Sequence, residues 1–455
     1  MKFSALKTFL TFSFIWVVFF QVNSQNYVVE IGSNASSKET LPFMLTANKF
    51  GTVPNNNNVS LYTSIFSEFK NTTSDFDFNY KAAITGYLAN KNNIFINELF
   101  ASIGYKNWRL TAGSKNDEIQ FEGLSMSNGN IIKSNNTRAF PGINLTTKGY
   151  LTLPFAKNWL TVKMNYAEYF LNDKRAVDNA HLHHKSLFFK SKLSKKLSLI
   201  TGLDHYVIWG GTSKEYGKQP HSFKDYLKYI TGQGDGDKTN ENVNSSNAWG
   251  NHLGNYLVQL DYQGQNSNWN FYWSHLFEDR SGREFANYPD ALYGFFIDLK
   301  KPKSLVTHII TEFQYTKNMS GLSGISGYDN YFNNTIYTSG WTYFGSTIGS
   351  PFFTTRTPVN GITPGIDKNR FTSINLGFKG YLSETIQYKT NLTYTNYDSL
   401  TSSSLNETQF SPYLEIFIDT EKFPFNISFG TAADFGDSLP DNFGGFIKLT
   451  KNGIF

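Results

Sequence analysis

Phe76-Asp77-Phe78-Asn79-Tyr80-Lys81-Ala82-Ala83-Ile84 alternates between apolar and polar residues. Phe76, Phe78, Tyr80, Ala82 and Ile84 share one face, and Asp77, Asn79 and Lys81 share the other. Successive side chains on a strand point to opposite faces, so this is a strand with one apolar and one polar side. The polar side carries charge and amide, which rules out a second dry core behind it. The same pattern recurs at Tyr256 to Tyr262, Thr372 to Phe378 and Ile386 to Tyr394. A soluble sandwich also alternates, with its polar face in water, so rhythm has to decide.

Strands of about ten residues come in pairs joined by very short turns, as membrane-barrel strands require. Such turns are Lys106-Asn107, Ser194 to Lys196, Gly264 to Ser267, Lys300 to Lys303 and Ser383-Glu384. Long polar stretches separate the pairs, at 115–142, 171–183, 209–251, 279–289 and 318–369. Short turns alternating with long loops are the mark of an outer-membrane barrel, its turns in the periplasm and its loops outside. The reading is an all-β, single transmembrane antiparallel barrel of about 18 strands, an even number as closure requires. Its candidate strands begin with 41–48, the weakest, which also reads as a short helix or plug, and 60–70; they end with 443–454. Phe455 closes the last one as a terminal aromatic, which suits insertion by the outer-membrane assembly machinery.

Lys2 and Lys7 precede an apolar run from Phe9 to Phe20, followed by Val22-Asn23-Ser24. This is a cleaved secretory signal peptide, residues 1–24; the run is too short to span a bilayer as a helix. Residues 25–59 alternate poorly and contain an Asn run, so they form a first strand or a plug. Residues 60–455 form the barrel. The expected location is the outer membrane, and the expected state is a monomer.

The chain has 455 residues, 41 Lys and Arg against 36 Asp and Glu, and a net charge of +5. That balance argues against a nucleic-acid partner. With no cysteine, thiol catalysis, disulfides and Cys-zinc sites are excluded. His181, His183 and His184 cluster, with His205, His221 and His252 further on, but no converging metal set is evident, and no metal or cofactor is expected. The run Gly234 to Glu241 places oxygen ligands together without an EF-hand spacing, and a solvated loop tip explains it. Glu278 and Asp279 are adjacent on a strand end and point apart, so they do not form an acid–base pair; an ion-pair rim with Arg280 and Arg283 is the simpler reading. No Gly-x-Ser-x-Gly elbow is present. The chain is not expected to be an enzyme.

The long loops mix aromatics with amides and charges. Residues 209–251 hold Trp209, Tyr216, His221, Tyr226, Tyr229 and Trp249; residues 318–369 hold Tyr328, Tyr331, Trp341, Tyr343 and Arg356. Aromatic faces suit the apolar faces of sugar rings, and amides and arginine suit their hydroxyls. These eleven are the candidate glycan contacts. The alternative is that the aromatics pack inward and seal the barrel mouth.

His205-Tyr206-Val207-Ile208-Trp209-Gly210-Gly211 resembles a stretch of the capsule-assembly Wzi family. So do Asn251-His252-Leu253-Gly254, Phe277-Glu278-Asp279 through Gly282, Thr311-Glu312-Phe313-Gln314-Tyr315-Thr316, and Gly123-Leu124-Ser125-Met126-Ser127 with Pro141-Gly142-Ile143. The resemblance runs from about residue 40 to the end and rests on the order and spacing of these motifs. It implies an 18-stranded outer-membrane barrel closed by loops outside and by a helical element on the periplasmic side. It also implies a non-enzymatic protein that attaches or organises capsular polysaccharide. The chain departs from the family at 26–59, which lacks strong helical periodicity. An outer-membrane diffusion porin stays open as the alternative, since barrels of about 16–18 strands can leave an aqueous channel.

Overall fold

The structure is a computed structural model that describes residues 25–67, 75–233, 248–321, 329–398, 406–419 and 423–455. Residues 1–24, where a leader is expected, lie outside them. Eighteen strands form the wall: β1 Asn26–Ser36, β2 Asn58–Ser67, β3 Phe76–Leu88, β4 Asn93–Tyr105, β5 Trp108–Ser114, β6 Pro141–Thr147, β7 Leu160–Phe170, β8 His181–Lys192, β9 Leu197–Trp209, β10 Asn251–Gln263, β11 Asn268–Phe277, β12 Ala291–Asp298, β13 His308–Tyr315, β14 Phe371–Ser383, β15 Ile386–Tyr397, β16 Glu407–Ile418, β17 Asn426–Gly436 and β18 Asn442–Ile454. Every neighbouring pair is antiparallel. The sheet closes because β1 pairs with both β2 and β18, setting Ile31 opposite Leu61 and Leu449. Closure leaves no unpaired edge, which a strand structure in lipid requires.

Alternation sorts the side chains as the opening sequence stretch predicts. Phe76, Phe78 and Ile84 are exposed on the outside, along with Ile94, Ile143, Ile374 and Ile447 on other strands. An apolar band running round the wall faces lipid. The inward faces carry paired charges, including Lys81 with Glu98, Lys190 with Asp261 and Lys389 with Glu415. No helix among the described residues is long and apolar enough to cross a membrane.

The weakest candidate strand takes its alternative form. Residues 41–48 are not a strand; Phe43–Thr46 forms a short helix, α1, directly after Pro42. Proline has no N–H to give a ladder and is well placed at a helix start. The first strand is instead Asn26–Ser36. Its alternation of Val29 and Ile31 against Glu30 and Gly32 is blurred by Val28 and by the small residues that follow. The other candidate strands fall on observed ones with shifted ends, and the total of 18 is kept. The helical element also sits differently from what the resemblance implied: α1 lies at the loop end, against β16, β17 and β18, with Phe43 N–H donating to Asp434 at 2.8 Å.

All long loops leave the end opposite the termini. Segments 37–57, 115–140, 316–321 and 329–370 turn inward there and share one apolar core with the wall. Leu41, Leu45, Ile131, Ile132, Phe332, Trp341 and Phe353 are members of it. Two further helices, α2 Phe223–Thr231 and α3 Arg280–Arg283, lie in loops 210–250 and 278–290.

Candidate functional site

Glu312 on β13 anchors the inward plug. Its parity turns it into the lumen, where it is buried. Five donors reach its carboxylate: Ser125 Oγ at 2.6 Å, Met126 N–H at 2.7 Å, Ser127 Oγ at 2.8 Å, Tyr272 OH at 2.7 Å and Asn375 Nδ2 at 3.3 Å. No cation pairs with it among the described residues, so hydrogen bonds alone satisfy the charge. Two motifs nearly two hundred residues apart, Gly123 to Ser127 and Thr311 to Thr316, therefore meet as lock and catch. Asn375 and Asn391 also donate to Leu124 O, and Phe121 stacks on Tyr272 with centroids 4.6 Å apart.

Segment 329–370 lies over this plug and is sewn to it. Trp341 Nε1 donates to Ile132 O at 2.6 Å, Ser134 Oγ to Gly349 O at 2.6 Å, and Ser350 N–H to Ile131 O at 2.9 Å. Phe332 N–H donates to Glu278 at 2.6 Å, and Tyr331 OH to Asp290 at 2.6 Å. Burial pushes the Glu278 carboxyl well above the usual range and raises Asp290 to about 6. Asp279 instead caps α3, accepting from Ser281 and Gly282. The two acids thus serve separate structural ends.

The candidate glycan contacts divide into groups. Tyr331, Trp341 and Tyr343 are buried in the inward plug. Tyr328 lies outside the described residues, as does the oxygen-rich run 234–241. Arg356 is exposed, donating to Pro364 O at 3.1 Å and lying 4.0 Å from Asp367. Tyr216 and His221 are also exposed. Trp209, Tyr226, Tyr229 and Trp249 do come together, Trp209 and Tyr226 on the outer face of the wall and Tyr229 buried at its rim, where it also meets Tyr337. The Trp209 ring lies 5.1 Å from Tyr226 and 5.6 Å from Tyr229, which lies 6.0 Å from Trp249. Alternation also separates the histidines: His183 faces outward to Glu168 at 2.5 Å, while His184 faces inward to Asp204 at 3.0 Å.

A cavity of about 100 Å³ near the loop end holds a different set, which the sequence reading did not single out. Phe140, Tyr169 and Tyr206 supply aromatic surface. Asn144, Asn165 and His184 project from inward positions of β6, β7 and β8. Lys115, Asn116, Asp117, Lys133 and Arg138 come from segment 115–140. Lys133 pairs with Asp117 at 2.6 Å. The Arg138 guanidinium lies 3.6 Å from the Phe95 ring centroid and 4.5 Å from that of Phe344. Lys115 and Arg138 form no ion pair among the described residues, and burial lowers the pKa of both. The side-chain oxygens of Asn116 and Asn144 are buried and accept no hydrogen bond. Buried acceptors of this kind are costly unless a donor reaches them. Rings, free acceptors and cations without a carboxylate partner suit a polyhydroxylated ligand with some negative charge. Inward parity at Asn144, Asn165 and His184 was the available signal; the loop residues carried none.

Comparison with known proteins fits this architecture. The family described as capsule assembly protein Wzi matches residues 31–357. Among solved structures, the chain is similar to Wzi of Escherichia coli, described as an outer membrane protein involved in group 1 capsule assembly and a carbohydrate-binding β-barrel. The TM-score is 0.61 at 14% identity, over 93% of this chain and 83% of that one. OpdQ of Pseudomonas aeruginosa follows at a TM-score of 0.50 and 8% identity, over 95% of this chain and 99% of that one. OccK5 of the same organism gives a TM-score of 0.50 at 9% identity, over 95% and 98%. No curated protein matches by sequence.

Proposed function

The chain belongs to the Wzi family of capsule-assembly proteins, and from that premise we propose that it is a non-enzymatic outer-membrane barrel that holds capsular or other extracellular polysaccharide at the cell surface. It works as a monomer placed in the bilayer by the outer-membrane assembly machinery. The observation that carries the reading is the cavity at the loop end. Its aromatic walls take the apolar face of a sugar ring, the Asn116 and Asn144 oxygens accept from sugar hydroxyls, and Lys115 and Arg138 attract acidic groups on the glycan. The inward plug supports attachment over solute diffusion, because segments from several sides of the barrel meet across the lumen.

The test is polysaccharide partition in cells that carry Arg138→Ala with Asn144→Ala in place of the native gene. Polysaccharide moves several-fold from the cell fraction to the medium, while the barrel still migrates as a folded, heat-modifiable species. Full retention by the folded double variant removes the cavity as the glycan seat.

A further inference from the structure

The wall from β7 to β11 departs from the apolar band around it. Polar and charged side chains on a lipid-facing surface are costly at the membrane midplane and tolerated only near its edges. Glu168, His183, Lys185, His205, His252 and His275 nevertheless occupy outward positions. Their neighbours of opposite parity fix that assignment: Asp204 bonds Asn130, and Ser274 bonds Ile131, both in the inward plug.

Two loops fold down over this patch from outside. Tyr226 of α2 donates to Glu168, and Lys185 donates to Ile230 O in the same helix. His252 meets Trp249 O at 2.6 Å. His275 is fully buried between Asp290 O at 2.9 Å and Gly282 O at 3.2 Å.

The covers then present an apolar surface of their own. Phe223 is 75% exposed and Leu227 44%, four residues apart on the nine-residue α2. Tyr226, whose ring centroid lies 6.4 Å from that of Phe223, and Tyr229 turn toward Trp209 on the wall. Phe285 and Tyr288 are exposed on the neighbouring cover. Directly beside α2, the lipid-facing Tyr166 and Phe170 of β7 are exposed as well, so the apolar surface runs on from the wall to the helix. Lys224 and Lys228 each follow one of the helix's exposed apolar residues in sequence; Lys224 is exposed, while the Lys228 ammonium lies over the Trp249 ring, 4.3 Å from its centroid. Asp225, the acid between them, is committed to a capping box with Ser222. An amphipathic helix with apolar side chains on one flank and lysines on the next suits the boundary between acyl chains and anionic headgroups.

We infer that α2 is a lipid-binding clasp on the outside of the barrel. Phe223 and Leu227 enter the outer leaflet, and Lys224 and Lys228 hold the anionic phosphate of a lipid headgroup. The clasp covers the ionisable patch on β7 to β11 and leaves the mouth to the glycan. Because the chain has no cysteine, one spin label can be placed at will. Leu227→Cys and, as a solvent-facing control, Lys214→Cys are labelled in the full-length barrel. Each is reconstituted in phosphatidylcholine vesicles with and without phosphatidylglycerol. The label at 227 is several-fold more accessible to oxygen than to a water-soluble relaxant, the reverse of the label at 214. Phosphatidylglycerol slows its motion, and Lys224→Gln with Lys228→Gln abolishes that slowing while the barrel stays heat-modifiable. Equal access of the aqueous relaxant to both sites overturns the inference, as does immersion with no response to the anionic lipid. A response of the 227 label to purified polysaccharide in place of lipid reassigns the surface to glycan, and that result leaves the cavity test untouched.

Discussion

Segments 329–369 and 210–233 leave the same end of the barrel with similar mixtures of aromatic, amide and charged residues, yet they settle on opposite sides of the wall. Trp341 in the first is fully buried over the lumen; Trp209, the strand residue directly before the second, is half-buried outside it. What differs is the surface that receives them. The inner wall near the mouth offers Glu312, Asn375 and Asn391, acceptors and donors that bind segment 115–140, and that segment in turn gives Trp341 the Ile132 carbonyl. The outer wall offers Glu168, His183 and Lys185, which Tyr226 and Ile230 cover. Loop composition permits either outcome, and the polar groups on the receiving strands select one.

Four substitutions probe this contrast, beginning with the largest effect, which is paired with its counterpart on the outer face. Trp341→Ala removes a fully buried indole and its hydrogen bond, with an expected loss of about 3–5 kcal/mol in urea unfolding. Trp209→Ala on the outer face costs only about 1 kcal/mol, in the range of a partly exposed residue. Equal losses would erase the distinction between plug and cover. Glu312→Gln keeps the shape but loses the charge that five donors serve, for about 2–3 kcal/mol by the strength of hydrogen bonds to charged groups. The plug then loosens at its base, and planar-bilayer recordings show conductance above that of the native barrel; unchanged conductance means that segment 329–370 holds the plug without Glu312. Lys49→Met is the mildest. Burial, with Lys389 next in effect, lowers the Lys49 ammonium to about 7 against its ordinary 10.5. The unfolded chain therefore binds more protons between those values, and the native barrel gains heat stability as pH rises through that window. Lys49→Met flattens the gain; a variant that keeps the native pH profile assigns it to another group.

Much of this architecture was legible in the residues. Period-two alternation from Phe76 to Ile84, and its recurrence, fixed which side chains face lipid, because a strand offers no other choice. Short turns against long loops set the topology. The opening strand Asn26–Ser36 stayed open between strand and plug because Val28-Val29 breaks the alternation, and Leu41 to Asn48 stayed open between strand and short helix until Pro42 was given its weight as a helix start. The resemblance motifs were visible, but not their purpose. Ser125 and Glu312 meet only because strand register brings β13 beneath the loop that follows β5, and the 3.0 Å contact of His205 with His252 likewise comes from the pairing of β9 with β10.

The sequence by itself determined a closed, exported, cysteine-free barrel with a charged lumen, since alternation, length and composition are properties of each segment alone. Only the tertiary structure decided where the loops go. A loop's aromatics are drawn out of water by any surface that will take them, and which surface does so depends on the inward or outward polar groups of strands far away in the chain. For that reason Trp341 became packing, Tyr226 a cover on the outer wall, and Asn144 and Arg138, which no motif marks, the walls of the cavity proposed to seat the glycan.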